Sequence, residues 1–335
     1  MEKLIGDNGQ PHFGQFDPAP ADINYRDCDL RSPMDRRRGR LARHFAFNQF
    51  QFVALSSPEL IVGLAIVDLK WLSNAFVYAY SPLSGAFEEF SFLQPLARRT
   101  GIETRPNDGE AVFHKGSNRL HISAERGLRR VSVSLASGLR IEADIDEGDA
   151  YAPMALCTRA GYQGWVYTQK ITARPVKGTV HWQGTDHDLA AQRSLGSVDW
   201  TAGYMRRETF WNWGSLSAYL PDGRRLGFNL VAGVNDTGYT ENALWLDDQL
   251  IKLSTVVFEF DRDHRESRWR MRSQDGVLDL SFEPAGRRSE RRDAGFIASN
   301  FSQFFGRYIG TVRLPGETLH VDGLWGLAED HYARW

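Results

Sequence analysis

Near the C-terminal end of the 335-residue sequence, Glu329, Asp330, His331 and Arg334 lie in one short run. In an extended segment side chains repeat every two residues, so Glu329 and His331 share a face. A carboxylate beside an imidazole can hand a proton to an alkene or take one from an activated water. Glu329 is read as the acid and His331 as its base or orienter. Trp325 and Trp335 flank the run, and Trp325 is read as part of an apolar ligand wall. The same residues have a plainer use, in which Glu329 pairs with Arg334 and Trp335 plugs a barrel end.

A second concentration runs from Asp199 to Trp213. Asp199 is the alternative acid. Trp211 and Trp213 share a strand face with Asn212 opposite. With Trp200 and Tyr204 they can line a flat apolar ligand or steady a carbocation through their ring faces. Core packing is the commoner use of such residues. Arg207 is read as an anchor for a carboxylate or phosphate head group, with a surface ion pair as the alternative. Further along, Asn229 interrupts the apolar run from Leu226 to Ala232, on the face of Gly227 and Val231. With Glu241 and Asn242 it supplies the polar groups that an apolar ligand pocket usually contains. Parity does not say which face is inside. His181, Asp186, His187 and Asp188 match no zinc spacing, and a turn at Gln183-Gly184 accounts for them, so no metal is expected. No P-loop, no dinucleotide fingerprint and no nucleophile elbow is present, so no cofactor is expected.

These side chains must be held by strands. Val131, Val133 and Leu135 alternate with serines, and Leu139, Ile141, Ala143 and Ile145 alternate with charged residues. Leu226 to Ala232 and Tyr308 to Leu314 repeat the pattern, which is that of a strand with one apolar face. Asp108-Gly109, Asp222-Gly223, Asp275-Gly276 and Pro315-Gly316 punctuate the runs as hairpin turns do. The aromatic count of 10 Trp, 11 Tyr and 20 Phe, with 31 Gly, suits strands and tight turns. A change of phase after Phe47 predicts a bulge near Asn48 or a strand break. Pro33 to Ala46, rich in arginine, is read as a solvated basic loop, with a short helix as the alternative. Arg287 to Arg292 is read as an exposed loop.

The composition is that of a globular chain, with 42% hydrophobic and 24% charged residues. A net charge of -2 argues against a dedicated nucleic-acid binder. Cys28 and Cys157 are expected as free buried thiols. The N-terminus has no apolar signal region and no stretch reaches the length of a spanning helix, so a soluble, cytoplasmic protein is expected.

Several segments carry a resemblance in their order. They are Asp199-Trp200-Thr201-Ala202-Gly203, Phe210-Trp211-Asn212-Trp213, Gly227-Phe228-Asn229-Leu230, Thr240-Glu241-Asn242 and Gly323 to Trp335. The chain resembles the bacterial DUF2804 family, whose function is unassigned. More distantly it is similar to the AttH-like group, which includes carotenoid hydratases, tocopherol cyclases, fungal Diels–Alder cyclases and a lipid-transfer protein. That resemblance implies two lipocalin-like antiparallel β-barrels, or curved half-barrels, in tandem, and a pocket for an apolar small molecule. The expected fold is all-β, with β-domains at 1–150 and 151–335. The expected function is binding of a lipid- or isoprenoid-like molecule in a barrel or between barrels. Cofactor-independent hydration, cyclisation or isomerisation would be the enzymatic form. The alternatives are a non-catalytic carrier or sensor, or a structural or partner-binding protein with filled barrels.

Overall fold

The computed structural model describes residues 1–148, 151–234, 238–295 and 297–334. Trp335, read as a plug, lies outside them. The described residues form two curled antiparallel sheets, one of 14 strands and one of 9. The alternating runs form strands as their period requires. Leu128–Ser134, Arg140–Asp146, Arg225–Ala232 and Ala298–Leu314 are all extended, with the named aliphatic residues largely buried. Asp222-Gly223, Asp275-Gly276, Pro315-Gly316 and Gln183-Gly184 each fall in the turn of a hairpin.

The N-terminal sheet is built around Gly164–Trp182, a 19-residue strand. Its first half pairs with Met154–Ala160 and Leu195–Tyr204, its second half with Arg140–Asp146. The register shifts between Ile171 and Arg174, where Ala173 takes a φ of 56°. A bulge of this kind bends a strand and lets one strand serve two curved sheet halves. Leu195–Tyr204 pairs onward with Asn48–Ser56, followed by Ile61–Asp68, Leu72–Tyr80 and Phe87–Pro95. In the C-terminal sheet, Glu208–Tyr219 pairs with Arg225–Ala232 on one side and Glu317–Arg334 on the other. Beyond these come Ala298–Leu314 and Leu278–Asp293. The chain changes sheet between Tyr204 and Glu208, so residues from Met154 to Tyr204 hydrogen-bond within the N-terminal sheet.

Each sheet curls around its own apolar core. One holds Val53, Leu64, Val77, Ile141, Trp165 and Trp200 among others. The other holds Phe228, Trp269, Phe282, Phe304 and Tyr308. A third cluster joins the outer faces of the sheets: Phe52, Ala54, Ile61, Tyr78 and Tyr80 from the first meet Trp213, Val231, Phe305 and Leu327 from the second.

Two basic segments differ from expectation. Arg40–Ala46 is a helix, although it buries no residue; Arg43 fastens it by donating to the carbonyls of Arg26 and Cys28. Its end at Ala46 explains the phase change, which is a break before Asn48–Ser56 and not a bulge. Arg287 to Arg292 is no loop. It continues the strand Leu278–Asp293, paired residue by residue with Ala298–Leu314, and Arg288 is buried. Alternating arginines and polar residues are what a strand shows when one edge of its face is wet; charge alone hid the period. Cys28 and Cys157 are free and buried, as read.

Candidate functional site between the sheets

The seam between the outer faces collects most of the chemistry-bearing residues. Its geometry follows from register. In the C-terminal sheet one lateral row reads Val231, Trp213, Glu329, Gln303 and Arg288. In the N-terminal sheet a row reads Lys170, Asp199, Phe52, Ala65 and Phe76, and the next runs through Ser197, Ala54, Gly63, Tyr78 and Glu89. Each row belongs to one face because strand side chains alternate.

Hydroxyls pin the sheets together at one end. Thr172 Oγ1 and Ser197 Oγ each lie 2.7 Å from Ser217 Oγ, and Thr172 Oγ1 donates to the Leu216 carbonyl at 2.9 Å. Gly227 permits this approach, since a Cβ there would stand 2.7 Å from the Thr172 methyl. Beside the pin, Lys170 is buried with its ammonium on Asp199 and 3.4 Å from Glu241 Oε2. Thr201 donates to the other Asp199 oxygen at 2.9 Å. Burial alone would lower the Lys170 ammonium, but the charges of Asp199 and Glu241 outweigh it and hold the group above its ordinary value. An enclosed space of about 10 Å³, room for about one water, is lined by Lys170, Asp199, Phe52, Trp213 and Asn229.

Trp213 stands edge-on to Phe52 and donates to Asn229 Oδ1 at 2.8 Å. Asn229 in turn donates to the Glu241 carbonyl, and Asn242 accepts from Val231 N. The face of Asn229 is thus settled: it looks into the seam, while Leu226, Phe228 and Leu230 fill the C-terminal core.

At the other end, both oxygens of buried Glu329 accept a hydrogen bond, one from Trp211 Nε1 at 2.7 Å and one from Gln303 Nε2 at 2.9 Å. His331 Nδ1 is 3.6 Å from Glu329, and its Nε2 is 3.2 Å from Ser299 Oγ. The imidazole is edge-on to both Trp211 and Phe301. Opposite lies Tyr78, whose ring crosses Gly63; a Cβ at that glycine would meet the ring at 2.2 Å. Burial pushes the Tyr78 phenol above its usual range; Arg288 pulls it down, while Glu329 and Glu89 push it up. The Arg288 guanidinium lies 4.0 Å over Phe76 and 4.7 Å over Phe301, and its Nε and Nη2 reach Glu89 at 3.1 and 2.5 Å.

Of the residues singled out in the sequence, Asp199, Trp211, Trp213, Asn229, Glu241, Glu329 and His331 meet at this seam, with Asn242 behind Asn229. Trp325 lies at its border, 5.9 Å from Tyr80 and beneath Arg307. Trp200 and Tyr204 point the other way, into the N-terminal core against Tyr167 and Trp165. Arg207 is exposed in the crossing between the sheets. Arg334 pairs with Glu208 and Asp293, not with Glu329. Lys170, Tyr78, Gln303 and Arg288 carry no sequence motif. The parity of Phe76, Tyr78 and Tyr80 against Val77 and Ala79 was the signal for Tyr78, because it separates an aromatic face from an aliphatic one.

The family described as a domain of unknown function, DUF2804, matches residues 24–335. The chain belongs to the DUF2804 family. No curated protein matches the sequence. Solved structures share the DUF2804 protein's fold at low identity. CghA, solved with Sch210972, has a TM-score of 0.57 at 11% identity, covering 86% of this chain and 88% of that one. Kievitone hydratase from Nectria haematococca gives 0.52 at 11% identity, over 85% and 88%. An AttH-like protein from Nitrosomonas europaea gives 0.51 at 14% identity, over 87% and 92%. The DUF2804 chain therefore shares with these proteins an all-β fold of two curled antiparallel half-barrel sheets, as its motifs implied. Among the described residues no helix is long and apolar enough to cross a membrane.

Proposed function

We propose that the seam receives a hydrophobic small molecule, lipid- or isoprenoid-like, and performs cofactor-independent proton transfer on it. The observation that carries the reading is the environment of Glu329: a buried carboxylate oriented by Trp211 and Gln303, backed by His331, and walled by aromatic rings. With N–H donors on both oxygens, Glu329 is set as a proton acceptor, and His331 as the group that passes the proton on. Trp211, Trp213, Phe76 and Phe301 form the apolar wall. The half-buried residues Trp211, His331 and Phe76 mark the rim through which a ligand enters, the sheets parting there while the hydroxyl pin holds the far end. A fold shared with a hydratase is consistent with hydration, cyclisation or isomerisation as the reaction class.

Mass spectrometry of apolar compounds retained by natively purified protein tests the reading. The wild type is expected to retain such a compound, and Glu329→Gln to retain a chemically different one, the unconverted substrate. Identical retained compounds would remove Glu329 from the chemistry and leave a carrier. No retained apolar compound in either protein would overturn the proposal.

A further inference from the structure

The Glu329 end of the seam holds polar atoms that the protein itself does not satisfy. Among the described residues, Tyr78 Oη, Arg288 Nη1 and Gln303 Oε1 are buried without a hydrogen-bond partner. Their residues are 0, 6 and 2% exposed. A buried unpaired polar group costs about 1–3 kcal/mol, so native proteins seldom keep one and rarely gather several. The three residues lie on the two faces that meet at the seam, Tyr78 on one and Arg288 with Gln303 on the other. Arg288 and Gln303 are lateral neighbours in register, and the Arg288 guanidinium carbon is 5.1 Å from the Tyr78 ring.

Two of the three are donors. The Tyr78 hydroxyl stays protonated in this setting, and guanidinium N–H groups only donate. The third, Gln303 Oε1, accepts. The charge of Arg288 is already met by Glu89, and Glu329 stands close enough to act on the Tyr78 hydroxyl. A carboxylate ligand would add an anion to a guanidinium already paired with Glu89, and beside Glu329, in a place with little water to screen it. A neutral oxygen suits the site better.

Building on the reading of the seam as an apolar-ligand site, we propose that Tyr78 and Arg288 form a clamp for the carbonyl oxygen of a hydrophobic ketone or aldehyde, with Gln303 Oε1 taking a hydroxyl hydrogen where the ligand has one. The carbonyl then sits opposite Glu329. Removal of a proton from the carbon beside the carbonyl would leave that C–H electron pair as a carbon–carbon double bond. The carbonyl π pair moves onto oxygen, where the clamp steadies it, and the proton rests on Glu329 until it is returned.

The clamp is tested with three probes of one chain length, 2-undecanone, undecane and undecanoate, by quenching of tryptophan emission. The wild type is expected to bind the ketone about tenfold or more tightly than the alkane, the size of one good hydrogen bond to a buried donor. Tyr78→Phe should weaken ketone binding about tenfold and leave alkane binding unchanged. Arg288→Lys keeps a charge for Glu89 but loses the fork and the stacking on Phe76 and Phe301, so it should weaken ketone binding about tenfold more than it weakens alkane binding. Equal binding of ketone and alkane, or tighter binding of undecanoate, would overturn the clamp while leaving the apolar-ligand reading in place. Binding of none of the probes by the wild type would overturn both.

Discussion

The two ends of the seam are built from similar residues to opposite effect. At the hydroxyl pin, one lysine is shared by two carboxylates, and Asp199 has a further donor in Thr201. At the rim, Glu329 is satisfied but Tyr78, Arg288 and Gln303 each leave an atom over. A buried polar network that closes on itself rigidifies the structure; one that is left open holds capacity for something else. On the proposed function, the contrast gives anchoring to the Lys170 end and chemistry to the Glu329 end. It also moves Asp199 from the role of alternative acid towards that of a lysine's counter-ion.

Substitutions that remove one partner measure the contrast most sharply. Lys170→Met removes the cation shared by the half-buried Asp199 and the buried Glu241, and is expected to destabilise by about 3–5 kcal/mol in urea denaturation. A loss below 1 kcal/mol would mean that the triad does not anchor the sheets. Next in size is Gly63→Ala, whose Cβ would collide with the Tyr78 ring. Overpacking of this kind costs about 1–3 kcal/mol, and measured in the Tyr78→Ala background that cost should recover in part, as a double-mutant cycle reads. Lack of recovery would show that the clash lies elsewhere.

The lysines offer a gentler comparison through pH. Lys252 donates to the Thr240 carbonyl, and burial pushes its ammonium down to about 8 from 10.5, only partly opposed by Glu241. Between those values the unfolded chain binds the proton that the folded chain has released, so stability rises with pH over that window. Lys170 behaves in the opposite sense. Its folded value is raised, so its contribution is complete below 10.5 and is lost as pH climbs through the higher folded value. Lys252→Met should flatten the rise between pH 8 and 10.5 in a series of denaturant midpoints. An unchanged slope would place the titration on another group. The smallest effect is expected from Tyr78→Phe. Deleting a buried hydroxyl without a partner should leave the thermal midpoint unchanged or slightly higher. A clear fall would mean that the hydroxyl is satisfied in the folded protein.

The strands, most turns and the shared faces of several candidate residues were legible in the sequence because alternation is a local property. Glu329 with His331, and Trp211 with Trp213, share faces for that reason alone. Local pattern could not decide which face lies inside. Asn229 and Val231 line the contact between two sheets and not the interior of either, a fact that depends on Gly227 letting Thr172 approach. Arg288 was hidden for a different reason. A run of arginines reads as solvated, and only pairing with Gln303 and an aromatic bed of Phe76 and Phe301 makes a buried position tenable for one of them. Lys170 needed Asp199, its register partner on the adjacent strand, and Glu241, from the loop before Ala243–Leu246, before it had any meaning.

The strand order also sets a timetable for synthesis. Asn48–Ser56 cannot complete its pairing until Leu195–Tyr204 has been made, and Glu208–Tyr219 waits for Glu317–Arg334, which follows every other described strand. Contacts between residues so far apart in sequence close slowly. A nascent chain therefore presents Trp211 and Trp213 on an open edge for much of its translation. Glu329 arrives with the strand that covers them, so the seam closes late.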